Sequence, residues 1–378
     1  MKDSPNLYLI IIWHNALNKF EDIVSDIDQK FIIRKIYNLQ WSKQNFKKNL
    51  KRFYSHNLSP FPDKEITSII DHKSDHCGSA NFSTIIIEDP SPKLESRNTS
   101  AGNVIVNSNI FDSKSIYRKW TGGGHKIHAS NDLTETNHDL SLLLGLNLTD
   151  FHKKYPKWDG KVEEIPDLNI PGSDGWDSIE QLFYTLNNTI NYVVLRNFDN
   201  MPEEYHIPNH NDIDLLVSNY KKASIIINGK NTQGHKNCVH HHVKINNTLV
   251  PFDFRYVGDN YYDEKWQKNI LNNKKLNKNL FYTPNDTDYF YSLLYHATIQ
   301  KFENPMPLDY KTKIQDLAEK YKINLKPKLT NKHLKELLNE FMTINNYQYY
   351  QPIDPTVSSP KINYYSGLKL NSYNGQYE

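Results

Sequence analysis

The chain has 378 residues, more than one ordinary hydrophobic core holds, so two domains are expected. Lys and Arg number 45 against 43 Asp and Glu, a formal charge of +2 that excludes a strong pull toward nucleic acid or an anionic membrane. Hydrophobic residues at 38% and charged residues at 23% exclude wholesale disorder, and two cysteines exclude a disulfide framework. The longest apolar run, Leu7 to Trp13, falls well short of the ~20 residues that cross a bilayer. It also lacks the basic flank and cleavage site of a secretory signal, so a cytoplasmic protein without a membrane span is expected.

In chain order, a compact apolar run over 7–13 precedes a helical stripe over Ala16–Ile27, set by Leu17, Phe20, Ile23, Val24 and Ile27. A strand is expected over Phe31–Tyr37 and a basic amphipathic helix over Ser42–Tyr54, then strands at Thr84–Glu88 and Asn103–Asn107. Helices at Lys114–Trp120 and Asp132–Leu144 complete an α/β domain over residues 1–150, a candidate substrate-binding domain. Residues 151–175 are rich in Pro, Gly and acids and read as a linker. Beyond it, a helix at Ser178–Leu186 and strands at Tyr192–Leu195 and Asp212–Val217 open an α+β domain over 176–325, a mixed sheet flanked by helices. A hairpin of Cys238–Ile245 and Leu249–Val257 turns at Asn246-Asn247, a dipeptide that tolerates positive φ. Helices follow at Asp286–Phe302 and Lys311–Tyr321. A helical extension (Asn331–Met342) and a Tyr- and Pro-rich arm fill 326–378.

The strongest chemical signal is Asn211-Asp212-Ile213-Asp214-Leu215-Leu216-Val217. Residues two apart on a strand share a face, so Asp212 and Asp214 lie side by side and repel unless a cation separates them; Mg²⁺ or Mn²⁺ suits oxygen ligands of this kind. A third acid, Asp253, sits between Phe252 and Phe254 in an apolar strand, where a carboxylate is costly unless paired or metal-bound. Three converging acids suit metal-assisted phosphoryl transfer, with the third helping to activate an attacking hydroxyl. A two-residue turn at 246–247 sets His240 opposite Asp253, whereas a turn one residue longer would bring His241 there.

Other candidates are less specific. Arg196, followed by Asn197, could hold a phosphate through its guanidinium fork, or form a plain salt bridge. Lys301 continues the stripe Phe290, Leu294, Ala297 and either snorkels at a helix end or faces an anion. Cys238, His240 and His242 share a strand face and invite a zinc reading, although neighbours on one flat strand fit a tetrahedron poorly. The run Gly122-Gly123-Gly124-His125-Lys126-Ile127-His128 has the composition of a phosphate-cradling loop, which makes Gly123, Gly124, His125 and His128 candidate binding residues; a flexible turn is the plain alternative. Asp132 and Glu135 fit a capping box.

The order Tyr192-Val193-Val194-Leu195-Arg196-Asn197, then Asp212-Ile213-Asp214, then Asp253, resembles the polymerase-β-type nucleotidyltransferase superfamily. The likeness is to bacterial and viral members associated with surface-glycan synthesis, and it covers roughly residues 176–325. It implies that Asp212, Asp214 and Asp253 are metal ligands, with Asp253 the activating acid, and that Lys301 contacts donor phosphates. The implied substrates are a phosphorylated donor (a nucleotide or sugar nucleotide) and a hydroxyl acceptor. The chain departs from the superfamily in having Arg196-Asn197 where a Gly-Ser pair usually grips the β and γ phosphates. Two rivals share these features: a GT-A-like glycosyltransferase, whose apolar strand normally precedes its acids, and a catalytically silent regulatory or scaffold protein.

Overall fold

The computed structural model describes residues 6–99, 102–205, 212–232, 239–301, 308–325, 329–354, 357 and 370–371. They form two compact units: unit 1 is Met1–Trp176 with Ile225–Asn228, and unit 2 is Asp177–Ser224 with Gly229–Glu378. Each is mixed α/β, with its own mixed sheet and accompanying helices. No helix among the described residues is long and apolar enough to cross a membrane.

In unit 1, strand β1 (Leu7–Trp13) is buried along its whole length, as its unbroken apolar sequence requires of a central strand. It shares its sheet with β2 (Ile32–Gln40), β3 (Asn81–Glu88), β6 (Ile127–Ala129) and β7 (Val162–Ile165), in the order β6-β1-β3-β2-β7; β4 (Leu94–Thr99) and β5 (Gly102–Asn107) form a separate antiparallel ribbon. The contacts β6–β1, β1–β3 and β3–β2 are antiparallel, and β2–β7 is parallel. One face packs Tyr8, Ile10 and Ile12 against Ile23, Ile27, Ile110 and Tyr117. Trp13, Trp41 and Phe82 form an aromatic cluster, with Trp13 4.6 Å and Trp41 4.8 Å from the Phe82 ring.

The expected linker is corrected here. Residues 151–175 belong to unit 1, and within them β7 adds to the exposed edge of β2, where Ile36–Leu39 supply the pairing groups. Helix Asp63–Cys77 was not anticipated: only Ile66, Ile70, Ser74 and Cys77 turn inward, a stripe too short of large apolar side chains to stand out.

Unit 2 holds β8 (Tyr192–Val194), β9 (Ile213–Val217), β10 (Lys230–Asn231), β11 (His240–Ile245) and β12 (Thr248–Tyr256), in the order β10-β11-β12-β9-β8. β12 lies parallel to β9, and the other neighbours are antiparallel. The hairpin turns on Asn246 and Asn247, at φ 45° and 61°, the left-handed values a tight two-residue turn needs. That turn pairs His240 with Asp253. Helix Ile179–Thr189 packs Phe183 against Tyr192, and Trp266 of helix Glu264–Asn272 is fully buried. The extension expected beyond 325 is part of the same unit: Phe341 of helix Asn331–Ile344 stacks on Tyr291 at 3.8 Å.

The helix expected over Asp286–Phe302 is α-helical only to Tyr295; His296–Gln300 is a π turn, closed by Lys301 N–H to the His296 carbonyl at 2.8 Å. Residue 302 lies outside the described residues, as do Cys238, Asn211 and most of the arm beyond 357.

Candidate functional site

β9 and β12 run side by side and in the same direction, which places Asp214 directly beside Asp253. Asp212 stands one residue before β9, two positions from Asp214 and therefore on the same side. Ligand oxygens of all three acids lie within 4.8 Å of one another. They line a cleft of about 460 Å³ together with Arg196, Asn197, His240, Arg255, Tyr261, His296, Gln300, Lys301 and Tyr310. The backbone alternation that sends Asp253 into this cleft buries Phe252 and Phe254 in the opposite direction.

Gathering acids where water is scarce is costly, and the cost falls on their ionised forms. Burial, reinforced by Asp212 and Asp253 and opposed by Arg196, pushes the Asp214 carboxyl up to about 7. Burial and the neighbouring Asp253 also raise Asp212. Asp253 goes the other way: burial would raise it, but its bond from His240 and the charge of Arg255 hold it below the usual range. The same bond lifts the His240 imidazole above its ordinary value despite partial burial. Three acids in mutual contact, two of them biased toward taking up a proton, fit a divalent cation: an oxygen-only donor set whose repulsion the ion would relieve.

Arg196 is placed differently from the expectation of a free phosphate grip. One guanidinium nitrogen donates to Asp214, and the other donates to the Tyr261 hydroxyl at 3.1 Å. His296 Nδ1 donates to Gln300 Oε1 at 2.9 Å and lies 3.2 Å from the Tyr261 hydroxyl. Gln300 Nε2 in turn donates to the Tyr261 carbonyl at 3.1 Å. Arg196 is thus a clamp on the second acid, braced by Tyr261, which residues of the π turn hold in turn. Asn197 adopts φ 60° at the cleft wall. Lys301 lines the cleft just past the π turn.

Several cleft residues went unnoticed in the sequence. Arg255 was within reach of strand periodicity, being two residues after Asp253 on the same face; it lies 3.6 Å from Asp253 and donates to Asp354 at 2.8 Å. Asp354, which holds Arg255 from behind the cleft, comes from the aperiodic arm, and Gln300 from a widened turn; no pattern pointed to them. Tyr261, with Tyr262, Trp266 and Tyr347, stands outside any apolar stripe in the sequence and so suggests an exposed face for stacking on a sugar, but all four are buried, and Tyr261 serves the cleft through its hydroxyl. His296 had no place on the apolar stripe, yet the π turn brings it to the cleft.

Of the zinc grouping on β11, His240 and His242 are described and Cys238 is not; His240 bonds to Asp253, and His242 pairs in register with Lys230 of β10 and Pro251 of β12. In unit 1 the glycine run forms a tight turn: Gly122, Gly123 and Gly124 all have φ near +80°, and Gly123 N–H donates to the Arg118 carbonyl. His125 sits at its end beside His72 and His76. His128 is not on that loop's surface. It is buried in β6, where it donates to Asp139 Oδ2 at 2.7 Å with Phe53 and Tyr54 against its ring. Asp132 caps helix Leu133–Leu144 by accepting from Glu135 N–H at 2.8 Å.

Compared with known proteins, the chain matches no protein-family model and no curated protein.

Proposed function

We propose that unit 2 is a metal-dependent transferase of the nucleotidyltransferase type, which moves a nucleotidyl or phospho-sugar group from a phosphorylated donor to a hydroxyl of a small molecule or glycan. Glycan biosynthesis is the setting this suggests. The supporting observation is the convergence of Asp212, Asp214 and Asp253, on two adjacent strands, at the wall of a cleft large enough for a donor's phosphates.

Mg²⁺ or Mn²⁺, held by these three carboxylates, would supply positive charge to the donor phosphates. The chain's own residues supply the rest. Arg196 fixes the Asp214 carboxylate in one orientation. His240 does the same for Asp253, and by keeping it ionised leaves it able to accept a proton. The acceptor oxygen bonds to phosphorus as the bond to the leaving phosphate breaks, and the hydroxyl proton passes to Asp253. Lys301 offers a cation at the cleft wall for the leaving group.

A second reading has an observation of its own. Arg196 and His240 already partner two of the three acids, so the site is partly neutralised without any ion, as a silent fold would allow. A thermal-shift panel of nucleotides, sugar nucleotides and phosphoribosyl donors with Mg²⁺ separates the two. The transferase reading expects stabilisation by at least one donor that disappears in Asp212→Asn. An unresponsive wild type favours the silent fold, and a variant that responds like wild type removes the acids from the site.

A further inference from the structure

Unit 1 carries two groupings of histidines, and they differ in what already satisfies them. The inner one consists of His56, His128 and His138 with Glu135 and Asp139. There His128 and His138 donate to Asp139, His56 donates to Glu135 at 2.8 Å, and Ser55 donates to His138. Each ring has a partner within the protein. The outer grouping is His72, His76 and His125, with ring centroids 4.3 Å (72–76), 5.4 Å (76–125) and 5.8 Å (72–125) apart.

We propose that His72, His76 and His125 form a binding site on unit 1 for a late first-row divalent cation, zinc above all. One ring nitrogen from each lies within 4.8 Å of the others, close enough to draw onto a single ion. His72 and His76 are four residues apart on helix Asp63–Cys77, which puts both rings on one helical face. The glycine turn delivers His125 from the other side, and Gly124 leaves no room for more: a Cβ there would come within 3.1 Å of the His76 ring. His72 is exposed and the other two are half-buried, so an ion could enter and keep an open position for water or a ligand. Among the described residues, the side chains of His72 and His125 have no hydrogen-bond partner. His76 Nδ1 accepts only a long contact, 3.3 Å, from His125 N–H, which a bound ion would loosen. Lys73, Lys126 and Arg118 lie near and oppose added positive charge, while Asp75 favours it, so weaker binding than at a three-histidine site without cationic neighbours is expected. Imidazole ligands select this class of metal over Mg²⁺, so the site is chemically distinct from the carboxylates of unit 2.

The test is a cobalt titration of the chelator-stripped full chain in excess Mg²⁺. The expected result is one equivalent of Co²⁺ with the intense visible bands of tetrahedral nitrogen coordination, bleached by zinc. His72→Ala, a change at an exposed position, should weaken binding by about tenfold or more, as should His125→Gln. Asp212→Asn should leave the bands unaltered. Absence of the bands in the wild type, or their persistence in the His72→Ala/His76→Ala double variant, overturns the proposal. Loss of the bands in His56→Ala with retention in His72→Ala also overturns it, by assigning the metal to the inner grouping.

Discussion

In unit 1 Asp139 is sealed from solvent and accepts from His128 and His138, while in unit 2 Asp212, Asp214 and Asp253 crowd the wall of a cleft. Both regions bury acids among histidines. In the first, both acids, Asp139 and Glu135, face donors and every ring has a partner, with only His56 Nδ1 of these groups buried unbonded, so the set acts as scaffolding. In the second, three acids share Arg196, Arg255 and His240, and their remaining repulsion is directed at an accessible space. The same residue types thus hold the fold together in one unit and oppose it in the other, as expected where a site gives up stability for binding.

Substitutions break or sharpen this contrast. The largest effect belongs to Asp253→Asn, which should lower transfer activity by ~10²–10⁴-fold in an assay with a donor found by the thermal-shift panel. The neighbouring Asp212→Asn should abolish Mg²⁺ dependence yet leave the melting temperature level or higher, because it removes a charge that burial and Asp253 disfavour. Asp139→Ala should do the reverse: a loss of ~3–5 kcal/mol in urea unfolding, since two buried histidines lose their acceptor, with the Mg²⁺ response of unit 2 intact.

Acid should expose the same difference. Hydrogen bonds and charge from His56, with His128 and Asn131 N–H, outweigh burial and hold Glu135 down at about 2, from an ordinary 4.5. A carboxyl depressed on folding stabilises fully above its unfolded pKa and loses that contribution as pH falls through the folded one. Unit 1 should therefore lose on the order of 3 kcal/mol between about pH 4.5 and 2, and Glu135→Gln should flatten that slope in a pH series of denaturation curves. The smallest effect is at the hairpin: Asn247→Ala should cost ~1 kcal/mol through its positive φ, and Asn247→Gly little.

How much was legible follows from which forces were local. Strand periodicity put Asp212, Asp214 and Asp253 in view, and turn chemistry placed His240. These depend on neighbours in sequence. Arg196 was visible as a cation, but its clamp on Asp214 needed Tyr261 and the π turn, contacts made across 65 and 35 residues. Asp354 was hidden for the same reason. β7 was missed because composition registered the prolines and glycines on either side of it, whereas the unfilled edge of β2 decided its pairing. His72, His76 and His125 looked ordinary in sequence because a helix and a turn 49 residues apart had to meet first.

The hairpin at Asn246-Asn247 is remote from any chemistry, yet it settles a question of odd and even. His240 meets Asp253, while His241 points the other way, toward Tyr220 and Phe254. A one-residue slip of β11 against β12 would set His241 opposite Asp253 and turn His240 away, so the bend decides which imidazole lines the cleft. An insertion scan there would probe how much of the site's acidity is governed by counting along a strand rather than by what lies in the cleft.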